Sequence, residues 1–254
     1  MTESVILCEG YYDRAFWAGL LESVGLSDPG QKQGIKQRSP VVDIRGVEVK
    51  GGQYYYYTPG GNGVRVVPCN SKDNIPKTFK LFINKRTTDR IVRLIVNVDA
   101  DTHADGTPGA PTISRQSLIG LLKAIDPAMS VDEDGTIAID QTTLLISLIH
   151  WRAEDATSPH LPNQQTLERL VCASVCAAYP DRGPVVRTWL NSRTSDAPPA
   201  GVKEFALSHM VGWYAEQGCD AFYRCLWSDP IIAVELKNRL QASGAWSLVE
   251  ELAT

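Results

Sequence analysis

The stretch Ile91-Val-Arg-Leu-Ile-Val-Asn-Val-Asp99-Ala-Asp101 decides the fold. From Ile91 to Val98 it is short, β-branched and almost entirely apolar, which is typical of a central parallel strand buried on both faces. The strand then stops abruptly at two acids, Asp99 and Asp101. In an open parallel sheet, reactive groups collect beyond the carboxyl ends of the strands. The stretch therefore predicts an α/β protein with acids at the functional edge of its sheet.

A second short apolar run, from Ser4 to Cys8, ends in the same way, at Glu9-Gly10. Apolar residues at helical spacing follow from Asp13 to Val24. Asp13 suits the start of this helix, where a carboxylate can cap exposed backbone amides. The two runs predict two strands that end in acids, with a helix directly after the first.

Asp99 and Asp101 are two residues apart, so in extended backbone their side chains would point the same way. Two carboxylates on one side can hold a hard divalent cation, with water completing the octahedron. Several acids in a small space would repel one another strongly without a cation. These residues, together with Glu9, therefore predict a metal site.

The rest of the chain divides into an α/β body and a helical tail. We predict an α/β domain over 1–160, with a β-rich insertion at about 41–67, and a helical region over 161–254. Predicted strands in the insertion cover Val41–Ile44, Val47–Val49, Tyr54–Tyr57 and Val64–Val67, and a later one covers Leu144–Ile149. Predicted helices beyond the first cover Asn74–Asn84, Ser114–Ile125, Thr166–Ala178, Val185–Asn191, Val202–Glu216 and Ile231–Ala242.

Composition bounds the class of protein. The 254 residues are 43% hydrophobic and 21% charged, which is ordinary for a globular chain that needs no disulfide or structural metal to fold. The start does not resemble a signal peptide, and no stretch approaches the roughly 20 apolar residues of a membrane span, so we predict a cytoplasmic protein with no membrane partner. Six cysteines with no Cys-x-x-Cys pair predict reduced, buried thiols.

Charge is unevenly distributed. A net charge of −4 argues against a protein that coats nucleic acid by bulk electrostatics. Between Lys72 and Arg93, however, seven basic residues face only two acids, Asp73 and Asp89. This excess could contact phosphates or could be a solvated helix face, and charge alone leaves both interpretations open.

Two motifs resemble the Toprim family. Val5-Ile-Leu-Cys-Glu9-Gly10-Tyr-Tyr-Asp13 is similar to its opening strand, Glu-Gly turn and helical acid, and Leu94-Ile-Val-Asn-Val-Asp99-Ala-Asp101 is similar to its Asp-x-Asp strand end. The chain looks most like stand-alone relatives of the overcoming-lysogenisation-defect nucleases. Three shorter matches support this: Ser71-Lys72-Asp73-Asn74, Arg115-Gln116-Ser117-Leu118 and Thr166-Leu167-Glu168.

The resemblance implies a nuclease dependent on Mg²⁺ or Mn²⁺ that cleaves phosphodiester bonds of nucleic acid, DNA in preference to RNA. Asp99 and Asp101 would hold one ion, with Glu168 as a third ligand. Glu9 and Asp13 would hold a second ion, or Glu9 would act on the attacking water. Two ions about 4 Å apart stabilise the attacking and leaving oxygens together, and Lys72 would neutralise charge on the phosphate. The catalytic set would be Glu9, Asp99, Asp101 and Lys72.

Other functions compete with this one. Asp99-Ala-Asp101 after an apolar strand also fits a haloacid-dehalogenase-like phosphatase, although that fold expects Thr or Val where His103 stands and a later acidic pair. It also fits a sugar transferase, which would leave Glu9-Gly10 unexplained. Asp101-x-His103-x-Asp105-Gly106 partly matches a calcium loop but lacks the bidentate acid, since Thr112 stands there. The Toprim core could also be a non-catalytic binding module whose helical tail docks a partner.

Partners follow by analogy. The sequence has no Gly-x-x-x-x-Gly-Lys-Ser/Thr motif, so any ATPase would be a separate protein. Because related nucleases work beside ATPases, the resemblance implies an effector of phage defence with such a partner.

Overall fold

The computed structural model describes residues 1–27, 39–42, 48–127, 129–131, 136–139, 142–192 and 218–254. Its strands are β1 (Glu3–Cys8), β2 (Ser39–Val42), β3 (Glu48–Tyr57), β4 (Gly63–Pro68), β5 (Ile91–Asp99), β6 (Ser130–Val131), β7 (Thr136–Ile139) and β8 (Thr142–Trp151). Its helices are α1 (Tyr11–Ser23), α2 (Ile75–Lys85), α3 (Arg115–Ile125), α4 (Leu167–Ala178), α5 (Arg182–Asn191), α6 (Gly218–Cys225), α7 (Pro230–Ala242) and α8 (Ala245–Ala253). The predicted α/β class is confirmed.

One sheet contains the eight described strands in the order β2-β3-β4-β1-β5-β8-β7-β6. Its centre is parallel, because β1 pairs with β4 on one side and with β5 on the other. Antiparallel pairs lie toward the edges: β2–β3 and β3–β4 on one side, β6–β7 and β7–β8 on the other. The parallel centre with helices around it is consistent with the predicted Toprim-like arrangement.

The β-rich stretch at 41–67 is part of this sheet. The strand predicted at Val64–Val67 is β4, which pairs in parallel with β1, so this segment is continuous with the sheet centre. The described part of the strand predicted at Val47–Val49 and the strand predicted at Tyr54–Tyr57 form a single strand, β3, and Val47 lies outside the described residues. Its four tyrosines alternate as expected from strand geometry, with Tyr54 and Tyr56 buried.

The two faces of the central strands bury different sets of residues. On one face, Val5 and Leu7 of β1 and Leu94, Val96 and Val98 of β5 join one apolar cluster with α2 and α3. The apolar residues of α2 recur at helical spacing, namely Ile75, Phe79, Phe82 and Ile83, and they point into this cluster. Since α1 covers the opposite face of β5 through Trp17, both faces are buried, which explains the nearly unbroken apolar sequence of this strand.

The opposite face carries α1. Trp17 of α1 donates its indole Nε1–H to Oδ1 of Asn97 in β5 at 2.8 Å, and Asn97 is fully buried. The Tyr56 hydroxyl of β3 donates to Oε1 of Glu22 in α1 at 3.2 Å. Such bonds satisfy polar groups that would otherwise be costly to bury. They fix α1 over the strands whose ends carry the predicted site.

The predicted helices of the tail are present where the structure describes the chain. Helices α4, α5 and α7 match the predictions within about three residues at each end. Sequence periodicity missed the shorter helices α6 and α8. The helix predicted at Val202–Glu216 lies outside the described residues.

The chain folds into two compact units. The first comprises Met1–Val98, Ile113–Ile149 and Val249–Thr254, and the second comprises Asp99–Thr112 and His150–Leu248. The predicted division at residue 160 stays a prediction. The described cysteines Cys8, Cys69, Cys172, Cys176 and Cys225 are free thiols. Among the described helices, none is both long and apolar enough to cross a membrane.

Candidate functional site

Two neighbouring strands end in acids. β1 and β5 run parallel, with Cys8 paired to Asn97 in the last registered position. Glu9 directly follows Cys8, and Asp99 is the final residue of β5. The two apolar runs were predicted to be strands that end in acids, and both strands are confirmed.

An ion pair and a hydrogen bond position the two acids near the end of β1. The Glu9 carboxylate Oε1 lies 3.9 Å from the Lys72 ammonium, and about a fifth of each side chain is exposed. Asp13 is buried, with 8% of its surface exposed. Its Oδ2 accepts a hydrogen bond of 2.9 Å from the backbone N–H of Gly10, the residue preceding α1. The predicted helix-capping role of Asp13 is confirmed for this oxygen.

Two buried thiols lie beside these acids. Burial raises the pKa of Cys8 well above its usual range, and the nearby negative charge of Asp13 raises it further. Burial likewise raises the pKa of Cys69 to about 12. Both cysteines therefore stay protonated at neutral pH.

The β5 end is organised by distant parts of the chain. Asp99 Oδ1 accepts a hydrogen bond of 2.8 Å from the backbone N–H of Leu167. Asp101 Oδ1 accepts one of 2.7 Å from the side-chain amide of Gln164. The Asp101 backbone N–H also donates to the Gln165 carbonyl at 2.9 Å. The segment 164–167 therefore positions both acids of the Asp-x-Asp motif.

The prediction that Asp99 and Asp101 share an extended backbone was wrong. β5 ends at Asp99, and Asp101 has a φ of 56°, in the left-handed region. Aspartate tolerates this region better than most residues because its short side chain can form local hydrogen bonds. Strand alternation therefore does not set the direction of the Asp101 side chain, which is 93% buried.

A glycine missed by the sequence interpretation shapes this turn. A Cβ atom added at Gly109 would lie 1.7 Å from the carbonyl oxygen of Asp101, so only glycine fits there. The Thr112 hydroxyl donates to the Asp99 carbonyl at 2.7 Å. The glycine and proline content of residues 102–111 is typical of a loop, but nothing in the sequence shows that this loop packs against the Asp-x-Asp turn.

Glu168 is the second residue of α4, directly after the Leu167 amide that binds Asp99. Thr166 caps this helix, its hydroxyl accepting from the Arg169 N–H at 3.4 Å. Glu168 is thus one residue along the chain from a group that contacts the predicted site. Its role as a third ligand stays a prediction.

Arg169 holds the segment that carries Gln164 and Leu167. It is fully buried, and its guanidinium donates to the backbone carbonyls of Ala153, Pro162 and Asp155. Burial lowers the pKa of Arg169 from its ordinary value. Three carbonyl bonds compensate the charge, and they tie together residues that are well separated in sequence.

The carboxylates of the predicted site are the kind of ligand that a hard cation prefers, although no three of the described ones are grouped to hold an ion. Oxygen-only carboxylate donors are what Mg²⁺ and Mn²⁺ prefer. Asp13, Asp99 and Asp101 each have one oxygen fixed by a hydrogen bond, the support that metal-binding carboxylates commonly have. In the described ranges, no group of three or more His, Cys, Asp or Glu residues is arranged to hold a metal ion.

Comparison with known proteins adds evidence on the fold. No protein-family model matches the chain, and no curated protein matches it. The chain is similar to the crystal structure of hypothetical protein PH0156 from Pyrococcus horikoshii OT3, with a TM-score of 0.70 and 14% identity over 100% of both chains. At this identity the similarity shows a shared fold.

Proposed function

We propose that the protein is a metal-dependent nuclease of the Toprim type that cleaves phosphodiester bonds, preferentially in DNA. The observation that carries the proposal is the parallel pairing of β1 with β5, since each strand ends in an acid of the predicted site. Reactive groups in parallel sheets collect at this edge. Glu9 supplies a carboxylate and Lys72 an ammonium group at the end of β1.

Mg²⁺ fits the described acids without a three-residue cage. This ion keeps several waters and is commonly bound by one or two carboxylates plus substrate phosphates. Glu9 and Asp13, or Asp99 and Asp101, would each supply such a pair, and Glu168 would add a ligand to the second. When bound, the ion would activate water and neutralise charge on the phosphate.

The residues of the chain have separate tasks in this proposal. Lys72 would contact a non-bridging phosphate oxygen, because its ammonium already lies beside a carboxylate at the strand end. Glu9 would orient the attacking water. The backbone N–H of Leu167 and the amide of Gln164 would keep Asp99 and Asp101 in place, which limits the reorganisation needed on binding.

A plasmid-nicking assay with Mg²⁺ or Mn²⁺ tests the proposal. We expect Glu9→Gln and Asp99→Asn to reduce nicking by about 100-fold or more, since each removes a charge that acts at the reacting phosphate. The controls Glu154→Gln and Asp181→Asn remove equal charge from exposed positions and should nick at the wild-type rate. Full activity in both site variants would refute the nuclease site.

A second candidate is a binding module without catalysis. It is favoured by the lack of a group of three potential metal ligands in the described part of the chain. The module would bind Mn²⁺ through Asp99 and Asp101 but would leave plasmid and RNA intact with every metal. Calorimetric titration of Mn²⁺ into the wild-type protein and Asp99→Asn, beside the nicking assay, separates the two functions.

The proposal extends to a biological role as the nuclease effector of a phage-defence system. The sequence has no phosphate-binding loop of the Walker type, so ATP hydrolysis would come from a separate protein. Nicking that rises when a candidate ATPase and ATP are added would support this role. Nicking that is unchanged by every such partner would leave a nuclease that acts alone.

A further inference from the structure

The basic cluster between Lys72 and Arg93 separates into two groups in the structure. Lys72 lies beside Glu9, and Arg93 forms an ion pair of 2.8 Å with Glu251. By contrast, Lys77, Lys80 and Lys85 of α2 are exposed. None of these three lysines forms an ion pair with any residue that the structure describes, so their charge faces solvent.

The three lysines share one side of α2. The opposite side is fixed by Ile75, Phe79, Phe82 and Ile83, which are buried in the apolar cluster of the sheet. At about 100° per residue, Lys77, Lys80 and Lys85 fall on the arc away from that cluster. We call this arc, with its three lysines, the lysine face.

The helix that carries the lysine face has no acidic residue of its own. The sequence of α2, Ile-Pro-Lys-Thr-Phe-Lys-Leu-Phe-Ile-Asn-Lys, contains three cations and no anion, in a protein whose net charge is −4. Asp89, beyond the helix, lies 3.7 Å from Arg65. A local positive field favours an anionic partner over a cationic one.

The lysine face begins at the predicted site. The turn Lys72–Asn74 leads directly into α2. The helix therefore begins three residues after Lys72, whose ammonium lies 3.9 Å from the Glu9 carboxylate. The rise from Lys77 to Lys85 is about 12 Å at 1.5 Å per residue. Phosphates of one duplex strand are spaced about 3.4 Å along the axis, so the face spans roughly three to four of them.

We propose that the lysine face binds the phosphodiester backbone of nucleic acid and guides it to the β1 strand end. The inference rests on the proposed function, because it names how the substrate of that site is held. Such contacts are independent of base sequence. Lysine suits them as a flexible point charge that needs no fixed geometry at each phosphate.

Fluorescence anisotropy with a labelled 30-base-pair duplex in EDTA tests this surface without cleavage. The triple variant Lys77→Gln, Lys80→Gln, Lys85→Gln should bind at least about tenfold more weakly at roughly 100 mM salt. The slope of log affinity against log salt should fall by about 2 to 3, as expected for three lost phosphate contacts. A single-stranded probe should give a smaller loss of slope, near 2.

A matched variant controls for net charge. Arg152→Gln, Arg187→Gln and Lys237→Gln together remove the same three charges from other helices and loops, and this protein should keep the wild-type salt slope. Equal slopes for wild type and the lysine-face variant would overturn the inference, even if the protein still nicks plasmid. Equal losses in both triple variants would also overturn it, because they would indicate a response to net charge alone.

The two proposals can fail separately. Intact binding through the lysine face with no cleavage under any metal would remove the nuclease proposal and leave this surface standing. Both proposals would be supported if Glu9→Gln loses cleavage but binds the duplex normally in EDTA, while the triple lysine variant binds it more weakly. Circular dichroism of the triple variant should match wild type, because the three side chains are exposed and replaced by a good helix former.

Discussion

The acids at the ends of β1 and β5 are held by different kinds of contact. At the β1 end, the Asp13 carboxylate binds an amide three residues away, and Glu9 faces a lysine on the turn that follows the neighbouring strand β4. At the β5 end, Asp99 and Asp101 bind groups 68 and 63 residues further along the chain. The Asp13 cap is therefore local in sequence, whereas the Glu9–Lys72 contact joins residues 63 positions apart. At the second end, both acids depend on distant segments.

The difference shows where each end is vulnerable. A local cap is kept whenever its helix forms, because the interacting groups are connected by one turn of chain. A contact between distant segments also carries the entropy of bringing them together, so it needs other bonds to hold the segments. At the β5 end that support comes from Arg169 and from the close packing of Gly109 on the Asp101 backbone.

The largest effect should come from Arg169→Met, which keeps an unbranched apolar stem but removes the guanidinium. Three backbone carbonyls lose a charged donor, all of them in the stretch between β8 and α4. We expect a loss of about 4 kcal/mol in the free energy of unfolding, measured by urea denaturation. The control Arg187→Met lies on α5 and should change stability by less than about 0.5 kcal/mol. Similar losses in both variants would contradict the special role of Arg169.

A smaller effect with a control of opposite sign should come from two glycines. Gly109→Ala places a Cβ against the Asp101 carbonyl and should destabilise the protein by about 2 kcal/mol or more, because backbone must move. Gly120→Ala, in the middle of α3 with open space around it, should stabilise by about 0.5–1 kcal/mol. Thermal unfolding of the two variants checks both signs. A neutral Gly109→Ala would mean that the turn at Asp101 yields easily.

The smallest effect should come from the β1 end. Asp13→Ala removes the acceptor for the Gly10 N–H and should cost about 1 kcal/mol, measured by urea denaturation. Asp13→Asn keeps an acceptor oxygen and should recover about half of that loss. If Asp13 also binds metal, Asp13→Asn should lose nicking activity despite its retained stability. Retained activity in Asp13→Asn would assign this residue to capping alone.

Particular residues show how far the sequence could be interpreted. The strand at Ile91–Val98 was recognisable because a run buried on both faces has no reason to alternate. Glu9 and Asp99 could be placed at the carboxyl ends of strands because each directly ends an apolar β-prone run. Asp101 was misjudged because strand alternation was extended two residues past the end of β5, into a left-handed conformation. The contacts of Gln164 and Leu167 were missed because their partners are more than 60 residues away in sequence. Gly109 was missed because nothing in the sequence shows that its loop packs on the Asp101 turn.

The sequence alone determined the α/β class, most of the described helices and the end of each central strand, since hydrophobic periodicity and helix caps are local and additive. Only the tertiary structure decided which segments brace Asp99 and Asp101, and which lysines of the basic cluster remain unpaired. Those outcomes depend on contacts between segments more than 60 residues apart, for which local propensity carries no information.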